Sequence, residues 1–235
     1  MAMIRLDKFL ADMSIGTRSQ VKKLIKEKRV VIEGEIIKKA DTKIDEDTIV
    51  YVDDQPVSYL KYEYYLLNKP TGYVCALEDK YYPTVMELIY SQRHDLSPVG
   101  RLDKDTVGAL LITNDGKLNH NLLSPENHVE KRYYFECEPK LPSEAVDILA
   151  KPIKFKDFQS KPAKLEVIDG NSGYLTISEG KYHQVKRMIA YLGCEVTYLR
   201  RDKFAFLDLT GLVEGQYREL TEQEIEMLKE LAKLI

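Results

Sequence analysis

Apolar positions near the N-terminus keep helical spacing and then give way to short runs of strand type. Leu6, Phe9 and Leu10 fall at i, i+3, i+4 and predict a short helix, ended by the turn Ser14-Ile15-Gly16. Thr17 is a good N-cap for a second helix over residues 18–28, because its hydroxyl can accept from a free backbone N–H of the first turn. Val21, Leu24 and Ile25 share one side of that helix. Val30-Val31-Ile32 and Ile36-Ile37 then flank Glu33-Gly34-Glu35 as the arms of a hairpin, and Thr48-Ile49-Val50-Tyr51-Val52 is a further strand. The pattern is two helices feeding a small sheet. Residues 53–62 open with Asp53-Asp54-Gln55-Pro56, polar and interrupted by proline, and are expected to be a linker. The expected division is a small domain over 1–59 and a larger one over 60–235.

In the larger part, residues 63–69 predict a strand ended by Pro70-Thr71-Gly72, with glycine where positive φ is available. Further strands are expected at 109–113, 132–138, 163–168 and 174–178, and helices at 85–90, 143–150, 183–192 and 222–234. The strands are numerous and the helices do not alternate with them in a βαβ rhythm. A mixed, mainly antiparallel α+β domain is therefore expected rather than a doubly wound one.

Composition narrows the class. A chain of 235 residues that is 44% hydrophobic and 31% charged, with 12 Gly and 9 Pro, has the make-up of a folded protein with a real core. No run approaches the roughly 18 apolar residues of a membrane-spanning helix, and Asp7 follows Met1 too soon for a secretory signal. No membrane partner and a cytoplasmic location are expected. Cys75, Cys137 and Cys194 lie far apart, without CxxC spacing, and read as reduced thiols. His94, His120, His128 and His183 never fall at HExxH spacing, so no metal site is expected. No exposed heptad or long apolar face asks for a partner chain, and a monomer is expected.

Net charge is 35 − 38 = −3, which argues against nucleic-acid binding through global positive charge. The local distribution differs. Across residues 17–29 six cations (Arg18, Lys22, Lys23, Lys26, Lys28 and Arg29) face one anion, Glu27, and Arg18, Lys22, Lys26 and Arg29 follow one helical face. Taken alone, such a face is more often a solvated helix surface than a binding site. Its setting changes that balance. Arg5-Leu6-Asp7-Lys8-Phe9-Leu10, then Arg18-Ser19-Gln20, then Val30-Val31-Ile32-Glu33-Gly34-Glu35 resembles the S4 RNA-binding domain over nearly all of residues 3–52. The resemblance implies that the basic helix docks on folded RNA, chiefly through phosphates.

Two later segments concentrate functional groups. Gly100-Arg101-Leu102-Asp103-Lys104-Asp105-Thr106-Val107-Gly108 is a charged loop before an apolar strand. It imitates half of a calcium loop but fails where Val107 and Asn114 replace oxygen ligands. Glu179-Gly180-Lys181-Tyr182-His183-Gln184-Val185-Lys186-Arg187-Met188 enters an amphipathic helix, with Lys186 and Arg187 off the apolar stripe near a helix N-terminus that favours anions. A P-loop is excluded, since Leu111 and Leu175 stand where glycine is required.

Together with Thr113-Asn114-Asp115-Gly116 and Glu130-Lys131-Arg132-Tyr133, in this order and spacing, these segments resemble the pseudouridine synthases of the RsuA family over about residues 63–221. Asn68-Lys69-Pro70-x-Gly72-Tyr73-Val74-Cys75 and the 178–188 segment look closer to the branch acting on 16S rRNA than to relatives acting on 23S rRNA. The resemblance implies that Asp103 is the essential aspartate, Tyr133 the tyrosine that stacks on the target base, and Lys186 the basic residue paired with the aspartate. RNA contacts are expected from Arg5, Lys8, Arg18, Lys22, Lys23, Lys26, Arg29, Arg101 and Arg187, Arg101 as a phosphate or carboxylate partner whose role the pattern does not fix, with 16S rRNA or a small-subunit assembly intermediate as partner. Ala109 stands where leucine is more usual and Lys181 where arginine is common, and neither departure touches this chemistry.

The implied reaction breaks N1–C1′ of uridine and joins C5 to C1′ without redox change or loss of a group, so no cofactor is expected. It needs an ionised carboxylate as nucleophile or base, and Lys186 beside Asp103 would favour that charged form. Two other readings stand beside it. One is a synthase acting on 23S rRNA, the other a non-catalytic S4-type assembly factor that only binds rRNA. Retention of Asp103, Tyr133 and Lys186 together speaks against the last.

Overall fold

The structure is a computed structural model that describes residues 3–91 and 93–235. The chain forms two compact units. One comprises the residues through Glu63 together with Tyr90–Leu96, and the other Tyr64–Ile89 and Ser97–Ile235.

In the first unit the helices run over Leu6–Asp12 and Arg18–Lys26. Thr17 caps the second through a capping box, its hydroxyl accepting from Gln20 N while the Gln20 side chain accepts from Thr17 N. Their apolar sides close over Val30, Ile44, Val50 and Val52 to make a small core. Strands Val30–Ile32 and Glu35–Ile36 form the expected hairpin, with Glu33 and Gly34 both at positive φ (50° and 83°) as a two-residue turn of the primed kind requires. The expected linker over 53–62 is corrected. Asp53 and Asp54 are the turn of a second hairpin, and Gln55–Val57 pairs with Val50–Val52. Pro56, which suggested a break, sits in the last strand of this sheet, where its missing N–H costs no ladder bond. Beyond it, Tyr59 stacks on Phe9 at 5.1 Å and donates to Asp12, and buried Arg93 donates to Leu60 O.

The second unit is an α+β domain around a mixed sheet. Its strands run in the order Lys164–Asp169, Ser172–Ile177, Lys131–Glu138, Glu195–Phe204, Val107–Thr113, Tyr64–Lys69, Tyr217–Glu219. Neighbours are antiparallel except Val107–Thr113 and Glu195–Phe204, which are parallel, with Arg200 opposite Val107 and Arg201 opposite Gly108. Tyr64–Lys69 and Val107–Thr113 are buried on both faces, which is why they read as continuous runs rather than alternating ones. Leu66, Ala109 and Leu111 meet Leu118 and Leu122 of a helix over Gly116–Leu123, together with Phe204 and Leu228, in the main core. That helix was not expected, nor were the strands Glu195–Phe204 and Tyr217–Glu219. The helix expected over 85–90 is a single 3₁₀ turn, Val85–Leu88.

Two local constraints hold the charged loop before Val107–Thr113. The first is Gly108, at φ +110°, packed directly on the neighbouring strand. A Cβ there would lie inside contact distance of Arg201 O and 2.7 Å from Arg201 N. The second is Lys69, fully buried, whose ammonium donates to the carbonyls of Thr106 (2.8 Å), Pro70 (3.0 Å) and Lys104 (3.3 Å). Burial lowers the Lys69 pKa despite the nearby Cys75, Asp105 and Asp103.

Gly108→Ala is expected to cost more than about 2 kcal/mol, combining backbone strain with a clash that only separation of the two strands relieves. Lys69→Met leaves three carbonyls without this donor, at about 1–3 kcal/mol each, partly offset by relief of a buried charge. A net loss of about 2 kcal/mol would lower Tm by roughly 4–8 °C in a chain of this size. Thermal denaturation of the two variants checks both, and a Tm equal to that of the parent would show the constraint to be dispensable.

Candidate active site

Separate stretches of the second unit converge on one cavity of about 120 Å³, comparable with cavities that admit a single six-membered ring. The loop contributes Arg101, Asp103 and Thr106, the Lys131–Glu138 strand contributes Lys131 and Tyr133, and the segment entering the helix Gln184–Tyr191 contributes His183 and Lys186. Leu199 and Arg201 come from the Glu195–Phe204 strand.

A buried latch shapes the helix entry. The Gln184 side chain donates to Glu179 Oε1 (2.7 Å) and accepts from Lys181 N (2.9 Å), while Glu179 also accepts from Lys161 N (2.8 Å). The loop is thereby folded back on itself, and His183 takes a left-handed backbone (φ 49°, ψ 34°), a conformation that costs a non-glycine residue of order 1 kcal/mol or more. In that position His183 stacks on Tyr182 at 3.8 Å and brings Nε2 to 3.4 Å from Asp103 Oδ1.

Lys186 rises from the first turn of the helix and reaches the loop. Its ammonium is 3.1 Å from Asp103 Oδ2 and closer still to Asp105, donating to both carboxylate oxygens at 2.7 and 2.9 Å. Burial pulls the Lys186 pKa down, but its hydrogen bonds to Asp105 and Asp103 more than offset this and hold it above its ordinary value. For Asp105, burial pushes upward and the Lys186 hydrogen bond and charge win, so its carboxyl stays below the usual range.

Of the residues singled out in the sequence, Asp103, Tyr133, Lys186 and Arg101 are thus brought together around the cavity. Arg187 does not line it. Its guanidinium pairs with Asp157 (2.5 Å) and lies over Phe155 and Phe158. In the first unit Lys8, Arg18, Lys22, Lys23 and Lys26 are exposed, and Lys22, Lys23 and Lys26 share a groove with Lys38. Arg29 is held by Asp53 at 2.5 Å and Glu27 at 3.3 Å, and Arg5 by Asp7 at 2.8 Å. Sequence reasoning did not single out Asp105, His183, Lys131 or Arg201. The first three stood in the quoted motifs, where the pairing of loop with helix could have suggested them. Arg201 carried no such signal.

Comparison with known proteins agrees with this arrangement. Residues 63–191 match the family model for RNA pseudouridylate synthase, and residues 4–50 match the S4 domain. The chain is 42% identical to the uncharacterized RNA pseudouridine synthase YtzG of Bacillus subtilis (strain 168), covering 97% of this chain and 99% of that one. It is 41% identical to the ribosomal small subunit pseudouridine synthase A of Haemophilus influenzae, covering 96% and 99%. A crystal structure of a pseudouridylate synthase superposes with a TM-score of 0.68 at 41% identity, covering 96% of this chain and 99% of that one. With its S4 domain ahead of a cavity built by loop, strand and helix entry, this chain belongs to the RNA pseudouridylate synthase family.

Proposed function

We propose that this chain isomerises one uridine of 16S rRNA to pseudouridine, with Asp103 as the reacting carboxylate, and that it works in the cytoplasm on the RNA or on a small-subunit assembly intermediate. The observation that carries the reading is the Asp103 carboxylate in the cavity lining, 3.1 Å from the Lys186 ammonium, with Tyr133 lining the same cavity. The choice of 16S rRNA rests on relatives named for the small ribosomal subunit at about 40% identity over nearly the whole chain.

A stacked uracil must first leave its helix, at a cost of a few kcal/mol. Tyr133 offers a ring face to hold it, worth about 1–3 kcal/mol by analogy with other base–aromatic stacks. Asp103 then acts at the sugar, as nucleophile at C1′ or as base, with the Lys186 ammonium 3.1 Å from its carboxylate. The S4 domain supplies affinity through Lys22, Lys26 and their neighbours, which meet phosphates without reading sequence.

Asp103→Asn, nearly isosteric, is expected to abolish tritium release from C5-labelled uridine in 16S rRNA while RNA affinity is largely kept. Full activity in that variant would remove Asp103 from the chemistry. Release from 23S rRNA alone would reassign the substrate, and no release by the parent from either RNA would leave a binding protein. Lys22→Ala with Lys26→Ala should weaken RNA binding and make log K against log salt shallower by about 1–2. An unchanged slope in a filter-binding titration would take that face out of the RNA contact.

A further inference from the structure

The cavity floor carries two cations that the reading above leaves without work. Lys131 and Tyr133 are two residues apart on one strand and point to the same side of the sheet, and Arg201 is the cross-strand partner of Tyr133. Lys131 is 6% exposed and Arg201 2%. Both charges approach the buried ring of Phe204, at 5.5 and 5.3 Å from its centroid.

Their partners are few. Lys131 donates to Val129 O (2.7 Å) and Arg201 Nε to Ala109 O (2.6 Å), while Arg201 Nη2 is buried without a hydrogen-bond partner. Neither forms an ion pair among the described residues. Glu179 is the acid whose charge acts on Lys131, and it is already taken by Gln184 and Lys161 N. Burial and the Arg201 charge lower Lys131 to about 8. Thr106 Oγ1, in another lining residue, is also buried and unpartnered. Two adjacent cations without a directly paired carboxylate are costly to bury, so the arrangement works against stability unless an anion visits the site.

The proposed reaction makes such an anion. When N1–C1′ breaks, its electron pair goes to the pyrimidine, which then bears one negative charge spread over N1 and the carbonyl oxygens. After the ring turns, C5 supplies the pair that bonds to C1′, the C5 proton leaves and N1 takes one up. Charge on the free ring is the transient that a preorganised cationic floor would stabilise most. We propose that Lys131 and Arg201 hold the detached uracil anion and so act as catalytic residues at the cavity floor. This rests on the isomerase reading of the same cavity.

The test uses single-turnover tritium release from C5-labelled uridine in 16S rRNA, with Lys131→Met and Arg201→Gln beside the parent. Each variant is expected to be slower by about 10²–10³-fold, as when one donor to a developing anion is removed. RNA affinity should stay within about threefold, so the loss falls on the rate and not on binding. The Tm of Lys131→Met should stay within about 3 °C of the parent, because the lost bond to Val129 O is offset by relief of a buried cation.

RNA carrying 5-fluorouridine separates chemistry from damage. Fluorine acidifies the pyrimidine and stabilises its anion from within, so the deficit of each variant, read as loss of 5-fluorouridine from nuclease digests, should shrink about tenfold. Parent-like rates in both variants, or an equal deficit on both RNAs, would overturn the proposal and leave the isomerase reading standing. A parent inactive on 16S and 23S rRNA would instead bring down that reading. Should Arg201→Gln not fold, Lys131→Met decides alone, a parent-like rate again overturning the proposal.

Discussion

The geometry of the site depends on one buried ammonium. Lys69 ends a strand that is buried on both faces, and it spends its three N–H bonds on carbonyls of the turn after that strand and of the Asp103 loop. A loop of this composition, with Arg101, Asp103, Lys104 and Asp105 in five residues, would otherwise be free to solvate its charges. Tying its backbone from below leaves the side chains pointing outward while fixing where they start. Gly108 completes the constraint by letting the next strand run against Arg201 without a side chain between them. Tyr133 and Arg201 are thus set opposite one another by backbone pairing, and Asp103 by the loop that Lys69 ties down.

The same economy governs the positive charges. With net charge −3, the chain does not attract RNA as a whole, and what matters is which cations have an acid beside them. Arg5, Arg29 and Arg187 are each engaged by an aspartate, so their charge is largely spent on the fold. Lys22 and Lys26 form no ion pair among the described residues and stand exposed on one face of a well-capped helix. Counting basic residues along a helix therefore overstates its field, since Lys23, which lines a groove with Lys22, Lys26 and Lys38, itself has Glu27 at 3.8 Å.

Much of this was legible in the sequence, for identifiable reasons. The Thr17 cap, the Glu33-Gly34 turn and the buried runs at 64–69 and 107–113 are local signals, and they survive into the structure with shifts of one or two residues. What escaped was decided by tertiary context. Gly116–Leu123 begins with glycine and holds two asparagines and a histidine, poor helix formers that packing of Leu118 and Leu122 overrides. Glu195–Phe204 carries Arg200, Arg201, Asp202 and Lys203 in succession, which reads as exposed turn or loop, yet it is a central strand paired on both sides. No strand was expected there, and Arg201 went unnoticed with it.

Arg201 illustrates what a motif reading leaves out. It lies 98 positions beyond Asp103, and no spacing rule links them; the link is a parallel register that sets Arg201 against Gly108, at the end of the charged loop. A charged residue buried by pairing rather than by an ion pair is a cost that packing alone does not explain, since an apolar side chain of similar size would fill the same space more cheaply. Stability arguments therefore predict a residue other than arginine at this position, and the same holds for Lys131. Where the residue present is the one that folding disfavours, the compensation must come from a state the free protein does not contain. For this cavity, the proposed state is the one in which a ring carrying a negative charge meets Lys131 and Arg201.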